Sequence, residues 1–344
     1  MSRLIVTRIG PVSSVQDGGR PGSQRYGLPP SGAIDRLALA AANCVVGNEL
    51  FSACIEIGPF GGSFSALDGS VRVALTGALR NAGIGRRPLA LDTSVTLKEG
   101  DVLTLGIARE GAFSYLAIEG GIKGEPVFGS LAVNARAGLG SPYPRPLQAG
   151  DEFRVEAASD TQERRIELSD ANGPIRVVLG PQDDEFDEAN RELFLNSEWK
   201  ISATSDRTGY RLEGPVIKHL CGHNIVSDGT VNGSIQVLGN GAPVVLMMDR
   251  GTTGGYPKIA TVISADLGRF AQFSAGSVFR FKAVSMAEAQ QEARSFAQML
   301  RDLPGRLRPA ATGELNIEAL QHANIGGSAV SAVDTVTWDS PPNT

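Results

Sequence analysis

The sequence is poor in the residues that build disulfide frameworks and metal centres. It contains three cysteines, and none of them belongs to a Cys-x-x-Cys pair. An odd number of isolated cysteines provides neither a disulfide framework nor a zinc motif. Cys221 and His223 lie two residues apart, but no second pair of ligands accompanies them, so a surface turn is the favoured interpretation. The sequence therefore predicts no metal site, and its few cysteines fit a reducing cytoplasm.

Nucleotide-binding and hydrolase motifs are also missing. The segment from Gly251 to Lys258 has glycines and a lysine, but Tyr256 and Pro257 interrupt the pattern of a phosphate-binding P-loop. Pro257 has no amide hydrogen to offer a phosphate, and the residues that follow are typical of a strand, not of a helix N-terminus. There is no dinucleotide-binding fingerprint and no Gly-x-Ser-x-Gly elbow. We therefore expect that this chain alone binds no cofactor, ATP included.

Long apolar runs and an excess of positive charge are absent as well. With 32 basic and 37 acidic residues, the net charge is -5, which argues against a nucleic-acid-binding surface. No stretch reaches the length of a transmembrane helix, and the apolar run at the N-terminus is too short for a signal peptide. We expect neither nucleic acid nor membrane as a partner, and a cytoplasmic location.

Turn-forming residues, by contrast, are abundant. The 42 glycines and 19 prolines suit many short strands joined by turns, so the expected fold class is mainly β with a few helices. Asp35 is a candidate N-cap for a helix that runs to Val46 and stops at Gly47. Ser285 and Glu288 have the spacing of a capping box at the start of a second helix.

The chain length and one polar stretch predict two domains. An N-terminal β-rich domain is expected at 1–158, followed by a polar, charged linker at 159–173. A second β domain is expected at 174–284, and a C-terminal helix and tail at 285–344.

Three polar clusters stand out, at 16–20, 205–211 and 249–258. The third is the densest, and it lies between two apolar runs that predict buried strands. Loops carried on strands often hold functional residues. The candidate catalytic residues are Asp249, Tyr256 and Lys258. The candidate substrate-binding residues are Gln16, Asp17, Arg20, Ser205, Asp206, Arg207, Tyr210, Arg211, Arg250, Thr252, Thr253, Gly254 and Gly255.

Two interpretations of these clusters remain open. In the structural one, each cluster pairs an acid with a nearby arginine, as in Asp206 with Arg207 or Asp249 with Arg250, and the pair ties a turn together. In the functional one, the clusters converge on a pocket in which an arginine or lysine holds a carboxylate. The threonines and glycines of the third cluster would then stabilise an oxyanion, and Tyr256 would form a wall or donate a proton.

The motifs together resemble those of the biotin-dependent carboxyltransferase-like family, which includes the C subunit of 5-oxoprolinase, the KipI antagonist and proteins like allophanate hydrolase subunit 2. The matching segments, in family order, are 15–22, 28–35, 180–184, 205–214 and 249–266. The first contains Gln-Asp-Gly-Gly-Arg and the last Asp-Arg-Gly-Thr-Thr-Gly-Gly-Tyr-Pro-Lys. The resemblance covers residues 4–282.

This resemblance implies a fold of cyclophilin-like β barrels with two domains. It also implies that this chain is one subunit of a multi-subunit 5-oxoprolinase. Its partners would be an A subunit and a KipI-like B subunit. The complex would open 5-oxoproline, a small cyclic amide, to glutamate at the expense of ATP, and this chain would be inactive alone. Two alternatives remain: a regulatory module that binds a KipI-like kinase inhibitor, or a component that moves a carboxyl group from biotin to urea or a similar amide.

Overall fold

The computed structural model describes residues 1–168 and 172–310. Residues Met1–Pro309 form one compact unit. The rest of the segment expected at 285–344, from residue 311 on, lies outside the described residues, as do positions 169–171 of the expected linker. No helix in the described ranges is long and apolar enough to cross a membrane.

The first half of the chain supplies ten strands. They are β1 (Ser2–Ile9), β2 (Ser14–Gln16), β3 (Cys54–Ile57), β4 (Gly62–Leu67), β5 (Val71–Ile84), β6 (Arg87–Pro88), β7 (Thr93–Leu97), β8 (Val102–Ile118), β9 (Glu152–Val155) and β10 (Arg164–Arg165).

The second half supplies eleven more. They are β11 (Ile175–Leu179), β12 (Trp199–Ile201), β13 (Gly209–Glu213), β14 (Asp228–Gly229), β15 (Ser234–Val237), β16 (Pro243–Leu246), β17 (Thr253–Gly254), β18 (Lys258–Val262), β19 (Val278–Phe279), β20 (Phe281–Ala283) and β21 (Arg308–Pro309).

Four α-helices and three 3₁₀ turns complete the described elements. The helices are α1 (Arg36–Val46), α2 (Glu188–Asn196), α3 (Leu267–Ala271) and α4 (Met286–Asp302), and the 3₁₀ turns are Ser23–Tyr26, Asp183–Glu185 and Leu303–Arg306.

The described strands form two large sheets, one for each half of the chain except that β21 from the second half joins the first sheet. The first has the order β21-β10-β7-β5-β8-β4-β1-β9, with β2, β3 and β6 paired off this path. The second has the order β19-β12-β13-β16-β15-β18-β11-β20. All their pairings are antiparallel except that of β11 with β20. Strands β14 and β17 pair only with each other. The expected fold class, mainly β with barrel-like sheets and a few helices, is confirmed.

Helix α1 begins and ends where its sequence predicts. The Asp35 side chain accepts hydrogen bonds from the first-turn amides of Leu37 and Ala38, both at 3.1 Å. Gly47 adopts a left-handed conformation, φ 80°, at the C-terminal end, where a side chain would be strained. Every residue from Ala38 to Val46 is buried. The helix is therefore a core element and not an amphipathic surface helix.

The core around α1 is shared between the two halves. The cluster that contains α1 also contains the interior of the second sheet, together with Phe270 and Ala271 of helix α3. Gln272 joins the halves by polar contacts: its Nε2 donates to Asp35 Oδ2 at 2.8 Å, and its Oε1 accepts from the amides of Ala112 and Phe113. The interior of the first sheet forms a separate apolar cluster.

The stretch expected to be a linker makes specific contacts with the first sheet. Arg72 donates to the Ser159 carbonyl at 2.9 Å and to the Thr161 hydroxyl. Arg165 pairs with Thr93 in the sheet, and Ile166 is buried. The boundaries given for the two domains stay a prediction.

Helix α4 starts with the capping box expected at Ser285. The Ser285 hydroxyl accepts from the Glu288 amide at 3.2 Å, and Glu288 Oε2 accepts from the Ser285 amide at 2.7 Å. Phe296 and Leu300 pack against the shared core. The cap therefore holds the first turn of a helix whose later turns are fixed by burial.

Replacing Ser285 with Ala is expected to lower the free energy of unfolding by about 1 kcal/mol, because the first turn loses an N-cap acceptor. Chemical denaturation followed by circular dichroism measures the change. Ser274→Ala, in an exposed turn, is the matched control and should change stability by less than about 0.5 kcal/mol. Equal stability of both variants would show that the cap contributes nothing.

Candidate functional site

Arg207, from the second polar cluster, is the centre of a buried ion network between the two halves. Its Nε donates to Asp249 Oδ2 at 2.8 Å, its Nη1 donates to Glu56 Oε1, and its Nη2 donates to the Gly32 carbonyl at 2.7 Å. Glu56 is fully buried, and Arg207 and Asp249 expose only 11% and 10% of their side chains. Burial acts to lower the pKa of Arg207, but the charges of Asp249 and Glu56 outweigh it and raise the pKa. Arg207 is therefore a fixed cation.

The second oxygen of Glu56 organises the start of α1. Glu56 Oε2 accepts from the Tyr115 hydroxyl at 2.7 Å and from the Ile34 amide at 3.0 Å. The Tyr115 oxygen accepts in turn from the Asp35 amide at 2.8 Å. Burial, and then the charge of Glu56, raise the pKa of Tyr115 well above its ordinary value. The phenol stays protonated and remains a donor to Glu56.

Asp17 ties the first polar cluster to a neighbouring loop. Its Oδ1 accepts from the Gly19 amide at 2.7 Å and from the Ser130 hydroxyl at 2.6 Å. Its Oδ2 accepts from the Leu131 amide at 2.6 Å. Three acceptor contacts of this kind fix the carboxylate in place.

Gln16 and Arg20 reach the same neighbouring loop. Arg20 donates to the Ala132 carbonyl, and Gln16 Nε2 donates to the Val133 carbonyl at 3.0 Å. Both side chains are buried, and burial lowers the pKa of Arg20. Within the described residues, Arg20 Nη1 and Gln16 Oε1 have no hydrogen-bond partner. Each therefore keeps one unused polar atom.

The remaining residues of the second cluster do not join the ion network. Asp206 Oδ1 accepts from the Thr208 amide at 2.7 Å, and Ser205 Oγ accepts from the Arg211 amide at 3.0 Å. These contacts close a local turn. The hydroxyl of Tyr210, a buried residue, donates to the Ala271 carbonyl at 2.8 Å.

Arg250 is a buried cation with no carboxylate partner in the described structure. Its side chain donates to the side-chain oxygens of Asn232 and Gln24, the latter at 3.0 Å, and to the Thr230 carbonyl at 3.2 Å. Its Nε has no partner there. Burial lowers its pKa to about 10. Arg80 is similar in burial and pKa, but it donates to two backbone carbonyls and a serine, and it has no unused buried donor among the described residues.

Lys258 lies apart from the Arg207 network and meets an acid that sequence reasoning missed. Its Nζ donates to Asp228 Oδ2 at 2.9 Å. Gln182 Nε2 donates to the same oxygen at 3.1 Å, and Gln182 Oε1 accepts from the Lys258 amide at 3.1 Å. The Lys258 side chain is 2% exposed, whereas that of Asp228 is 52% exposed. The hydrogen bonds from Lys258 and Gln182 lower the pKa of Asp228.

The threonines and glycines of the third cluster form a small ribbon beside this pair. Thr253 pairs with Gly229, and Gly254 pairs with Asp228. Thr252 accepts at its carbonyl from the Thr230 amide at 3.0 Å. The carbonyl of Gly255 accepts from Ile225, and the Tyr256 ring lies 6.4 Å from that of His223.

A cleft of about 940 Å³ lies between the two halves and α4. Its walls are mostly apolar and include Met248 and Phe296, with polar groups supplied by Asn232, Ser31 and Arg36. Asn232 also accepts a hydrogen bond from Arg250, so it stands between that cation and the cleft. Such a concave, apolar space with a few polar groups is typical of a small-molecule site.

The structure therefore brings the three clusters together only in part. Asp249 and Arg207, from different clusters, form an ion pair, and Arg207 reaches the loop that packs beside Asp17. Lys258 and Tyr256 make their contacts elsewhere. None of the sequence-adjacent acid–arginine pairs is an ion pair among the described residues, so that part of the structural interpretation is wrong.

Glu56, Asp228 and Asn232 are polar residues that sequence reasoning missed, and Gln182 lies in the matching segment 180–184 but was not named as a site residue. Glu56 lies inside an apolar strand, and Asp228 lies next to Gly229 in an ordinary turn sequence. The sequence signal that could have identified Glu56 is a charged residue within an otherwise apolar strand. Within the described ranges, no group of three or more His, Cys, Asp or Glu side chains could hold a metal ion.

Replacing Arg207 with Met is expected to lower the free energy of unfolding by about 3–5 kcal/mol, because Glu56 and Asp249 are left buried without a cation. Thermal or denaturant unfolding measures the loss. Arg211→Met, exposed on a neighbouring strand, is the control and should stay within about 0.5 kcal/mol of the parent protein. A small loss for Arg207→Met would show that the network contributes little to stability.

Comparison with known proteins is consistent with this architecture. Residues 26–283 match the carboxyltransferase domain family, subdomain A and B. The chain is 36% identical to the 5-oxoprolinase C subunit of Escherichia coli (strain K12) over 302 residues, which cover 86% of this chain and 97% of that protein. It is 34% identical to the 5-oxoprolinase C subunit of Haemophilus influenzae over 281 residues, which cover 80% of this chain and 90% of the relative.

A solved structure shares the fold at lower identity. The urea amidolyase of K. lactis superposes with a TM-score of 0.81 at 27% identity, over 92% of this chain. The match covers 20% of the amidolyase, so this chain corresponds to one fifth of that larger protein. The resemblance seen in the sequence motifs is confirmed: the chain belongs to the carboxyltransferase domain family, subdomain A and B.

Proposed function

We propose that this chain is the C subunit of a 5-oxoprolinase. The observation that carries the proposal is its 36% identity with the E. coli protein of that name over 97% of the relative's length. A match across nearly the whole relative leaves no large part of its fold without a counterpart here. The described structure adds a cleft of suitable size and a buried lysine whose hydrogen-bond partner Gln182 follows the cleft residue Pro181.

The complex would consist of this chain, an A subunit, plus a KipI-like B subunit. It would add water across the lactam bond of 5-oxoproline to give glutamate, coupled to hydrolysis of ATP to ADP and phosphate. A lactam is stabilised by amide resonance, and ATP would provide the driving force for opening it. The chain contains no P-loop, which supports placing ATP on one of the partners and leaving this chain inactive alone.

In this proposal, Lys258 supplies the positive charge that holds the substrate. The lysine begins strand β18 immediately after Pro257, so a rigid sheet sets its position. Tyr256, two residues earlier, is half-buried and would wall the site or donate a proton. The ribbon from Thr252 to Gly255 would provide hydroxyl or amide donors to the oxyanion that develops as the lactam opens.

Asp249 and Arg207 would act without touching the substrate. Asp249 is held by Arg207, so its carboxylate is unavailable for large movement. We assign it a positioning role in which it fixes the start of the loop that carries Thr252, Thr253 and Tyr256. Arg250, with its unpaired Nε, is a second buried cation, and it contacts the cleft residue Asn232.

A second candidate is carboxyl transfer to urea or a similar amide, which the fold match to the urea amidolyase favours. The cleft is consistent with a small ring whose polar edge meets Asn232 and whose flat face packs on Met248. Biotin, when bound, would supply the transferable carboxyl group. Production of carboxylated urea from carboxybiotin by the purified chain would favour this function over lactam cleavage.

Reconstitution with the two partner proteins is the decisive experiment. The three-component complex should release glutamate and phosphate from 5-oxoproline and ATP, and omission of any component should abolish glutamate formation. A complex that assembles but does not turn over 5-oxoproline would refute the proposed function.

Lys258→Met in that complex is expected to lower kcat/KM for 5-oxoproline by about 10–10²-fold, because the charged donor that holds the substrate is lost. Lys218→Met, an exposed lysine of the same half, is the control and should retain full activity. Unfolding temperatures of both variants show whether the fold survives. Parental activity in Lys258→Met would assign the lysine a structural role only.

A further inference from the structure

The two partners of the Lys258–Asp228 ion pair differ widely in burial. The lysine is buried to 2% exposure, but its carboxylate partner is 52% exposed. Burying an ammonium group without a partner costs several kcal/mol, so a negative charge must be present at this position. The negative charge is supplied from the solvent side, where another anion could also approach.

Asp228 is carried by a two-stranded ribbon that is separate from the large sheets. Strand β14 has two residues, and it pairs only with β17, which also has two. Neither strand is hydrogen-bonded to the eight-stranded sheet. Lys258, by contrast, belongs to β18, which lies between β15 and β11 inside that sheet. The cation is thus fixed in the eight-stranded sheet, and its anion sits on a separate ribbon, which Gln24 and Thr230 hold through the carbonyls of Thr252 and Gly251.

The two donors beneath Asp228 define a place for one carboxylate oxygen. Lys258 Nζ and Gln182 Nε2 both donate to Oδ2 of Asp228, at 2.9 and 3.1 Å. The other oxygen, Oδ1, accepts from the adjacent Gly229 amide at 2.7 Å. A lysine beside a side-chain amide donor is a general arrangement for binding a carboxylate.

This arrangement lies beside the cleft between the two halves. Gln182 follows Pro181, which lines the cleft, and Val231 and Asn232 of its wall come three and four residues after Asp228. Lys258, Gln182 and Asp228 do not themselves line the cleft, but Asp228 is half-exposed, so a small molecule reaches the Lys258 position from the solvent side that Asp228 covers.

We propose that Lys258 and Gln182 form a carboxylate subsite, and that Asp228 occupies it as an internal competitor which a substrate carboxylate displaces. The inference rests on the proposed function, since 5-oxoproline carries one carboxylate next to its lactam ring. The lactam end would then face the ribbon and Tyr256. Urea has no carboxylate, so the subsite also selects against it. Asp228 is thus a specificity-determining residue, because any anion that binds at Lys258 must first displace its carboxylate.

Asp228→Asn tests the competitor directly, because it removes the charge and keeps the shape. Calorimetric titration of the full chain with 5-oxoproline should show binding at least about tenfold tighter than that of the parent protein, because a competing charge-assisted contact is removed. Titration with 2-pyrrolidinone, the same lactam without the carboxylate, should show no change. Asp187→Asn, at an exposed helix cap away from Lys258, is the matched control and should bind like the parent.

A second variant shows whether the gain acts through the lysine. Lys258→Met combined with Asp228→Asn should lose the added affinity completely, and unfolding temperatures establish that each variant is folded. Folded Asp228→Asn that binds 5-oxoproline no more tightly than the parent, or not at all, would overturn the inference.

A further titration, with acetate in place of 5-oxoproline, separates this inference from the proposed function. If acetate gains affinity in Asp228→Asn through Lys258 but the assembled complex does not cleave 5-oxoproline, the carboxylate subsite stands and the 5-oxoprolinase assignment fails. If the complex cleaves 5-oxoproline but Asp228→Asn leaves carboxylate binding unchanged, the function stands and the competitor role of Asp228 fails.

Discussion

The contact between Arg207 and the two carboxylates of Glu56 and Asp249 is the constraint on which the arrangement of the two halves depends. Glu56 belongs to the first sheet, whereas Arg207 and Asp249 come from the second half. A buried charge that loses its partner is strongly destabilising, so these three groups must stay together whenever the protein is folded. Their geometry also orients Tyr115 and the amides of Ile34 and Asp35, which immediately precede α1.

This network determines where the densest polar loop begins. Asp249 holds its N-terminal end, and Lys258 at its C-terminal end enters a strand in the middle of the second sheet. The residues between them are therefore fixed at both ends, and the two-stranded ribbon supports them in addition. Further contacts hold the middle of this loop: the Thr252 carbonyl accepts from the Thr230 amide, and the Tyr256 carbonyl accepts from Gln236 Nε2.

Local signals in the sequence were sufficient for much of the fold. Asp35 and Ser285 cap helices at the predicted positions, because a cap depends on residues only a few positions away. The ion pairs were harder to predict. Arg207 pairs with residues 42 and 151 positions distant, and no local rule could choose these over the adjacent Asp206. Asp228 was missed for the same reason: its importance comes from Lys258, which lies 30 positions along the chain.

The burial of α1 has a consequence for how the protein is made. Residues Ala38–Val46 leave a ribosome early, yet the core that covers them includes Phe270 and Ala271, and the Asp35 carboxylate that caps the helix is held by Gln272. The nascent first half therefore carries an apolar helix whose native cover is completed only after more than 200 further residues have been translated. A chain that stops near its middle would lack this part of the cover, and the surface of α1 that it buries would stay open to chaperones or to aggregation.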